Sequence, residues 1–241
     1  MADGRVALIT GANKGIGHEV ARQLGERGYT VLIGARDPRR GQEAVDRLRS
    51  SSADAHLVEI DVTDEGSMAD AAESVAGRFG HLGVLVNNAG VNREAGTRPS
   101  ESGLDSVRGI YATNVFGPFL AIKHFAALLR RSASPRVINV SSTPGSLAPI
   151  SDSGHPLAGL NTFAYNSSKT ALNALTVAFA KDLAADGTSV NSIRPGWVKT
   201  DLGGEHAPRT VEQGTAIIVE LATKVAPPTG TFVDENGTIP W

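Results

Sequence analysis

The sequence predicts a single α/β domain: an open, doubly wound, mostly parallel sheet of about seven strands with helices on both faces. Three observations predict it. Short apolar runs of strand length alternate with longer stretches whose apolar residues recur at helical spacing, the pattern of strand–helix–strand crossovers. The first run, Val6-Ala7-Leu8-Ile9-Thr10, leads through a glycine-rich turn into a helix. The 241 residues suffice for one large core, and no Pro-, Ser- or charge-rich linker or solenoid repeat divides them.

The elements follow in order. Residues 6–10 form a continuous apolar strand, as expected where both faces are buried. A helix over 15–28 places Ile16, Val20 and Leu24 on one face. A strand at 29–34 precedes a helix at 39–50 that carries Ala44, Val45 and Leu48. A strand at 56–61 and a helix at 64–79, with Met68, Ala72, Val75 and Ala76, repeat the cycle. The fourth strand, 84–86, is closed by Asn87-Asn88-Ala89-Gly90. Residues 104–131 read as a long helix in which Gly109, Gly117 and Pro118 predict a bend or break. A strand at 137–141, a helix at about 162–185 and a strand at 189–193 come next. Thr210 and Gln213 form a capping box for a helix bearing Ile217, Ile218 and Leu221. A short, edge-like strand at 230–233 ends the pattern. Residues 143–161 stand apart: they are rich in Ser, Gly and Pro and lack the periodicity of a helix. A loop of that length in a compact domain is either functional or a tolerated surface insertion.

Composition removes several function classes. A net charge of −2 without a like-charged block argues against nucleic acid or an anionic membrane as partner. Zero cysteines exclude disulfides, thiolate metal sites and cysteine nucleophiles, and fit a reducing compartment. The six histidines show no metal-ligand spacing, so no metal site is expected. The start of the chain has no secretory h-region and no later run is apolar enough to span a bilayer, so the expectation is cytoplasmic.

Tyr165-Asn166-Ser167-Ser168-Lys169 carries the clearest chemistry. Residues four apart share a helix face, so the Lys169 ammonium approaches the Tyr165 phenol. A free phenol titrates at about 10, and a nearby positive charge favours its ionised form. The plain alternative is a surface aromatic beside a solvated lysine.

Gly11, Asn13, Lys14, Gly15, Ile16 and Gly17 lie in the turn between first strand and first helix, where a helix N-terminus offers N–H groups to a pyrophosphate. Their spacing is Gly-x-x-x-Gly-x-Gly, distinct from Gly-x-Gly-x-x-Gly but in the same structural place. Asp37 lies about 20 residues beyond Gly17, as does a carboxylate that grips the ribose of NAD. Asp37-Pro38 is, however, a helix-start pair, with Asp as N-cap and Pro at the first helical position. Lys14, Arg36 and Arg40 converge near the same ribose, and three cations suit the 2′-phosphate of NADP. Ordinary surface cations beside the site are the alternative.

Together these residues resemble the short-chain dehydrogenase/reductase family along nearly the whole chain. The resemblance rests on Thr10-Gly-x-x-x-Gly-Ile-Gly17, Asp61-Val62, Asn87-Asn-Ala-Gly90, Asn114, Ser141-Ser142, Tyr165-x-x-x-Lys169 and Pro195-Gly196. Asn13-Lys14-Gly15, Ala35-Arg36-Asp37, Pro195-Gly-Trp-Val-Lys-Thr-Asp201, Ala207-Pro-Arg-Thr210 and Ile239-Pro-Trp241 resemble its carbonyl reductase branch, which is typically NADPH-dependent. The resemblance implies a Rossmann-like dinucleotide-binding and catalytic domain over 1–241, with a substrate-loop insertion at about 143–161.

It also implies roles. Tyr165 would protonate the substrate oxygen, with Lys169 lowering its pKa and bonding the nicotinamide ribose. Ser142 would hold the carbonyl, and Asn114 would order a water chain returning protons through Lys169. Asp61 and Val62 would flank adenine, Asn88, Ala89 and Gly90 would line the ribose side, and Pro195, Gly196, Val198 and Thr200 would border the nicotinamide, the last two holding its carboxamide. Asn114 as a helix-irregularity residue and Ser142 as a loop cap are the structural alternatives. Trp197 is either core or a wall of the substrate pocket. Leu147, Ile150 and Leu157 are candidate substrate contacts. The interval from Ser142 to Tyr165 is longer than in family members with a short loop and shorter than in monomeric carbonyl reductases, so monomer and homodimer both stay open.

The expected activity is reversible NADPH-dependent reduction of ketones or aldehydes, with a moderately hydrophobic small molecule as substrate. The alternatives are an NAD(P)-dependent secondary-alcohol dehydrogenase and a non-catalytic dinucleotide-binding regulator.

Overall fold

Along each inner strand, side chains alternate between two separate hydrophobic layers. Ala7, Ile9, Val31 and Ile33 face one layer, while Val6, Leu8 and Leu32 face the other. Such two-sided burial produces continuous apolar runs and requires helices above and below the sheet. In the computed structural model, which describes residues 5–93, 97–159 and 161–241, that is the arrangement. Met1 to Gly4, expected to enter the first strand without a secretory segment, lie outside the described residues.

The strands are β1 (Val6–Thr10), β2 (Thr30–Ala35), β3 (Ala55–Glu59), β4 (Val84–Asn87), β5 (Arg136–Val140), β6 (Ser189–Ile193), β7 (Phe232–Asp234) and β8 (Gly237–Thr238). They form one eight-stranded sheet in the order β3-β2-β1-β4-β5-β6-β7-β8, parallel except for the final β7–β8 pair. Sequence pattern predicts seven strands with the edge at 230–233. The structure adds a hairpin partner, joined through the turn at Glu235 and Asn236, so the edge passes to the two exposed residues of β8.

The main helices are α1 (Gly15–Gly25), α2 (Pro38–Ser50), α3 (Glu65–Phe79), α4 (Leu104–Tyr111), α5 (Gly117–Leu129), the short α6 (Leu147–Ser151), α7 (Phe163–Asp182) and α8 (Val211–Thr223). α1, α2 and α8 fill one layer, α3, α5 and α7 the other. Asp37 accepts a hydrogen bond from the Arg40 amide at 3.1 Å and Pro38 opens α2, as the capping argument requires. The Thr210–Gln213 capping box of α8 is also formed.

The long helix expected at 104–131 is interrupted. A π turn, Ala112–Phe116, separates α4 from α5 and carries Asn114, which is fully buried. The stretch Leu104–Leu129 is long and apolar enough to cross a membrane on length and composition alone, contrary to the sequence reading. Half of its most apolar window is buried inside the protein and the π turn breaks it, so it is a core helix. Residues 143–161 also differ from the irregular loop expected: Thr143–Gly145 makes a 3₁₀ turn and α6 follows.

Strand order reverses between β1 and β4, and the crevice at the carboxyl ends of those strands is where open α/β sheets hold ligands. The glycine turn after β1, Asn88–Gly90 after β4 and Ser141-Ser142 after β5 all end on that edge.

Candidate active site

The glycine turn is shaped for close approach. Gly11 and Gly15 have φ of +64° and +57°, a region that side chains disfavour. A Cβ on Gly17 would lie 2.5 Å from Asn88 Nδ2 and 2.8 Å from the Gly11 carbonyl oxygen, so only glycine fits. The N-cap of α1 is Lys14, and among the described residues no side chain caps it. The first-turn N–H groups therefore face the crevice with the positive end of the helix dipole. Asn88 secures the turn from β4: its Nδ2 donates to the carbonyls of Thr10 at 2.9 Å and Gly11 at 3.2 Å. The Asn88 and Ala89 amides both donate to Thr10 Oγ1 at 3.1 Å.

The three cations expected near the ribose sit around this turn, each beside a carboxylate. Lys14 bonds Asp201, reaching across to the loop that follows β6. Arg36 Nη1 lies 3.9 Å from Asp61, and Arg40 Nε lies 3.5 Å from Asp37. Burial pushes the Asp61 carboxyl up, but the hydroxyl and amide of Thr63 outweigh it and hold the group below its usual value. Val62 is in contact range of Gly117, where an added Cβ would meet it at 3.0 Å.

Tyr165 and Lys169 stand on the inner face of α7, as their spacing requires. Tyr165 is half-buried and is hydrogen-bonded by the Ser142 side chain. Burial pushes the phenol above its ordinary pKa, and the Ser142 bond only partly offsets that. Lys169 Nζ is 5.8 Å from the Tyr165 ring centroid and donates to the Val140 carbonyl at 2.8 Å. Its own burial lowers its pKa to about 8.

Asn114 is spent on the backbone. Its Oδ1 accepts from the Val91 amide at 2.9 Å and its Nδ2 donates to the Val91 carbonyl and to Ser168 Oγ, both at 3.0 Å. A Cβ on Gly90 would lie 3.5 Å from Asn114 Oδ1 and 3.6 Å from Lys169 Nζ, which places β4, the π turn and α7 around one spot. Ser168 was not singled out by sequence reasoning, although its position beside Lys169 was the available signal. A second unforeseen feature is a buried polar ladder under the site. Asn87 Nδ2 donates to Asn139 Oδ1, Asn139 Nδ2 to Thr176 Oγ1, and Thr176 pairs with Ser192, each at 2.8 Å.

Beyond β6, Gly196 has φ +79°, Val198 is buried, and the methyl of Thr200 would meet a Cβ on Gly15 at 3.5 Å. This brings the Pro195–Thr200 segment to the glycine turn. Trp197 is 58% exposed and its Nε1 donates to the Gly203 carbonyl at 2.7 Å, which removes the core reading.

The fold and the site match known proteins. The model for the short chain dehydrogenase family matches residues 5–210. The chain belongs to the short-chain dehydrogenase family. This dehydrogenase is 34% identical over 244 residues to the short-chain dehydrogenase anuI of Penicillium roqueforti, covering 97% of this chain and 95% of that one. Among solved structures it is similar to an NADPH-bound carbonyl reductase from chicken fatty liver, with a TM-score of 0.89 and 30% identity over the full length of both chains. It is also similar to the carbonyl reductase Sniffer of D. melanogaster, with a TM-score of 0.87 and 28% identity, again over both full lengths.

A broad groove of this short-chain dehydrogenase lies elsewhere. About 860 Å³ in volume, it runs between the insertion and the outer face of α7, lined by Leu147, Ile150, Phe163, Thr170 and Ala174 among others. Those α7 residues point away from Tyr165 and Lys169, so the groove is not the cleft above the phenol. Leu147 and Ile150 thus line the outer groove, and Leu157 is half-buried in the insertion without lining it.

Proposed function

We propose that this short-chain dehydrogenase reduces ketones or aldehydes to alcohols with NADPH, using a proton from Tyr165. The observation that carries the reading is a phenol bonded by Ser142 and flanked by Lys169, on the sheet edge that bears the glycine turn. A proton donor works best with a pKa near the working pH, and a charged Lys169 beside the phenol would move Tyr165 in that direction.

The residues present fit a dinucleotide. The uncapped start of α1 and a cradle that a Cβ on Gly17 would fill suit the pyrophosphate. Lys14, Arg36 and Arg40 would take the 2′-phosphate, Asp61 and Val62 the adenine, and Ala89 and Gly90 the ribose side. Asn88 would act by holding the turn. Pro195, Gly196, Val198 and Thr200 would border the nicotinamide. Hydride for the carbonyl carbon is the chemistry that NADPH supplies when bound.

This chain's own groups act on the oxygen. Ser142 and Tyr165 would donate to it together, and two donors aimed where charge develops favour the transition state over the ground state. Lys169 would bond the nicotinamide ribose and shift Tyr165 when fully charged, while Asn114 fixes the backbone at Val91 beside it. Trp197, exposed above this edge, is the candidate pocket wall.

The pairing of Arg36 with Asp61 and Arg40 with Asp37 favours a second reading, a secondary-alcohol dehydrogenase using NAD, because a neutralised cation attracts phosphate less. A panel of ketones, aldehydes and secondary alcohols, followed by nicotinamide absorbance with each dinucleotide, separates the two. Faster turnover with NADPH, lost in Arg36→Ala, is the expected result. Equal use of NADH, or an unchanged preference in the variant, would remove the NADPH assignment.

A further inference from the structure

We infer that Ser146 is a positioning residue for the candidate donor pair, tying the turn that bears Ser142 to the strap formed by residues 239–241. This rests on the reading of Ser142 and Tyr165 given above.

Ser146 occupies the N-cap position of α6, where a serine hydroxyl ordinarily accepts from a backbone amide of the first turn. Here it makes no such cap. The residue is fully buried, and its Oγ instead donates to the Pro240 carbonyl at 2.5 Å. A short helix has given up a capping bond for a contact almost a hundred positions away. An exposed surface insertion would gain nothing from that exchange; a turn whose position matters would.

The turn is rigid on the catalytic side. The Gly145 amide donates to the Ser142 carbonyl at 2.9 Å and the Ser146 amide to the Thr143 carbonyl at 3.0 Å. Asn173 Nδ2, one helical turn beyond Lys169, donates to the Gly145 carbonyl at 3.1 Å. A Cβ on Gly145 would lie 2.9 Å from the Lys169 Cβ, so the turn lies flush against α7 at the candidate lysine. Ser142 at one end therefore moves with Ser146 at the other.

The strap is equally fixed. The Ile239 amide donates to the Phe232 carbonyl at 2.7 Å. The Trp241 and Phe232 rings stack with centroids 5.9 Å apart and an interplanar angle of 18°, and Phe232 is fully buried in β7. A continuous chain of contacts thus leads from the sheet through Phe232, Trp241, Pro240 and Ser146 to the Ser142 turn, and the insertion leaves the body of the protein at its end.

Ser146→Ala, Trp241→Ala and the double variant test the link. Steady-state kinetics with any carbonyl that the wild type reduces should show kcat lowered about tenfold in Ser146→Ala, since a displaced donor loses alignment rather than substrate. NADPH affinity, read by fluorescence titration, should stay within about twofold, because the glycine turn is not touched. The double variant should be no worse than the poorer single one, as expected for two links of one chain. Hydrogen exchange supplies a readout without activity: amides of residues 143–151 should exchange faster in both single variants, with those of α1 unchanged. Unaltered kcat and exchange in Ser146→Ala would overturn the inference, and so would losses that multiply in the double variant. If Ser146→Ala does not fold, Trp241→Ala decides alone by the same two measurements. Faster exchange in a protein that reduces no carbonyl would fault the proposed activity and leave the link standing.

Discussion

Replacing Lys169 by Met should make the protein inactive and yet remove a stability cost that depends on pH. In the folded chain the Lys169 ammonium is enclosed, and burial lowers its pKa from 10.5 to about 8. Between those values the unfolded chain binds the proton and the folded chain does not, so stability rises with pH across that window. Below about 8 both states are charged and the cost is complete; as pH climbs toward 10.5 it is relieved. A difference of two to three pKa units is worth roughly 3 kcal/mol at pH 7, and at pH 10 less than about 1 kcal/mol of it should remain. The variant also loses the bond to the Val140 carbonyl, but it does so at both pH values, so that loss cancels when the two are compared. Denaturant unfolding of both proteins at pH 7 and pH 10 is the assay. Relative to wild type, Lys169→Met should be about 2 kcal/mol better placed at pH 7 than at pH 10. A stability gap equal at the two pH values would refute the buried-ammonium account.

Tyr165→Phe should lower carbonyl reduction by about 10²- to 10⁴-fold while NADPH still binds, as absorbance and fluorescence titration would show; full activity would unseat the proton donor. Gly17→Ala should abolish dinucleotide binding measured by calorimetry, because the added methyl meets Asn88 and the Gly11 carbonyl, the latter at 2.8 Å. Asn114→Ala should cost about 1–3 kcal/mol in denaturant unfolding, since it removes the partner of the half-buried Val91 amide and carbonyl and empties a fully buried position. Asp201→Asn should tighten NADPH binding several-fold by freeing Lys14, with the gain shrinking as salt rises.

What the sequence made legible was whatever depends on local pattern. Apolar runs located β1, β2 and β4, and the Asp37-Pro38 and Thr210–Gln213 signals located helix starts. Tyr165 and Lys169 fell on one face because helical geometry allows nothing else. What stayed illegible depends on the folded context and not on local pattern. The spacing brings Lys169 to Tyr165, but only the folded cleft shows that burial pushes the phenol up and the ammonium down. The path of the insertion was equally illegible: the turn at Thr143–Gly145 leads it over the outer face of α7, where Leu147 and Ile150 line a groove. β8 escaped notice because two exposed residues carry no hydrophobic signal.

The polar residues at the centre of the sheet follow from the same balance. Asn87, Asn139, Thr176 and Ser192 are all buried, and in an apolar layer each would cost free energy if left unpaired. Linked in sequence they are satisfied, and they join β4, β5, α7 and β6, the elements whose ends carry Asn88, Ser142, Tyr165 and Pro195. An all-apolar replacement of the ladder would pack the same strands but allow α7 to slide or rotate against them, because apolar contacts are not directional. Hydrogen bonds between defined atoms permit one register only. The ladder therefore fixes the relative placement of the phenol and the serine, on which the proposed chemistry depends.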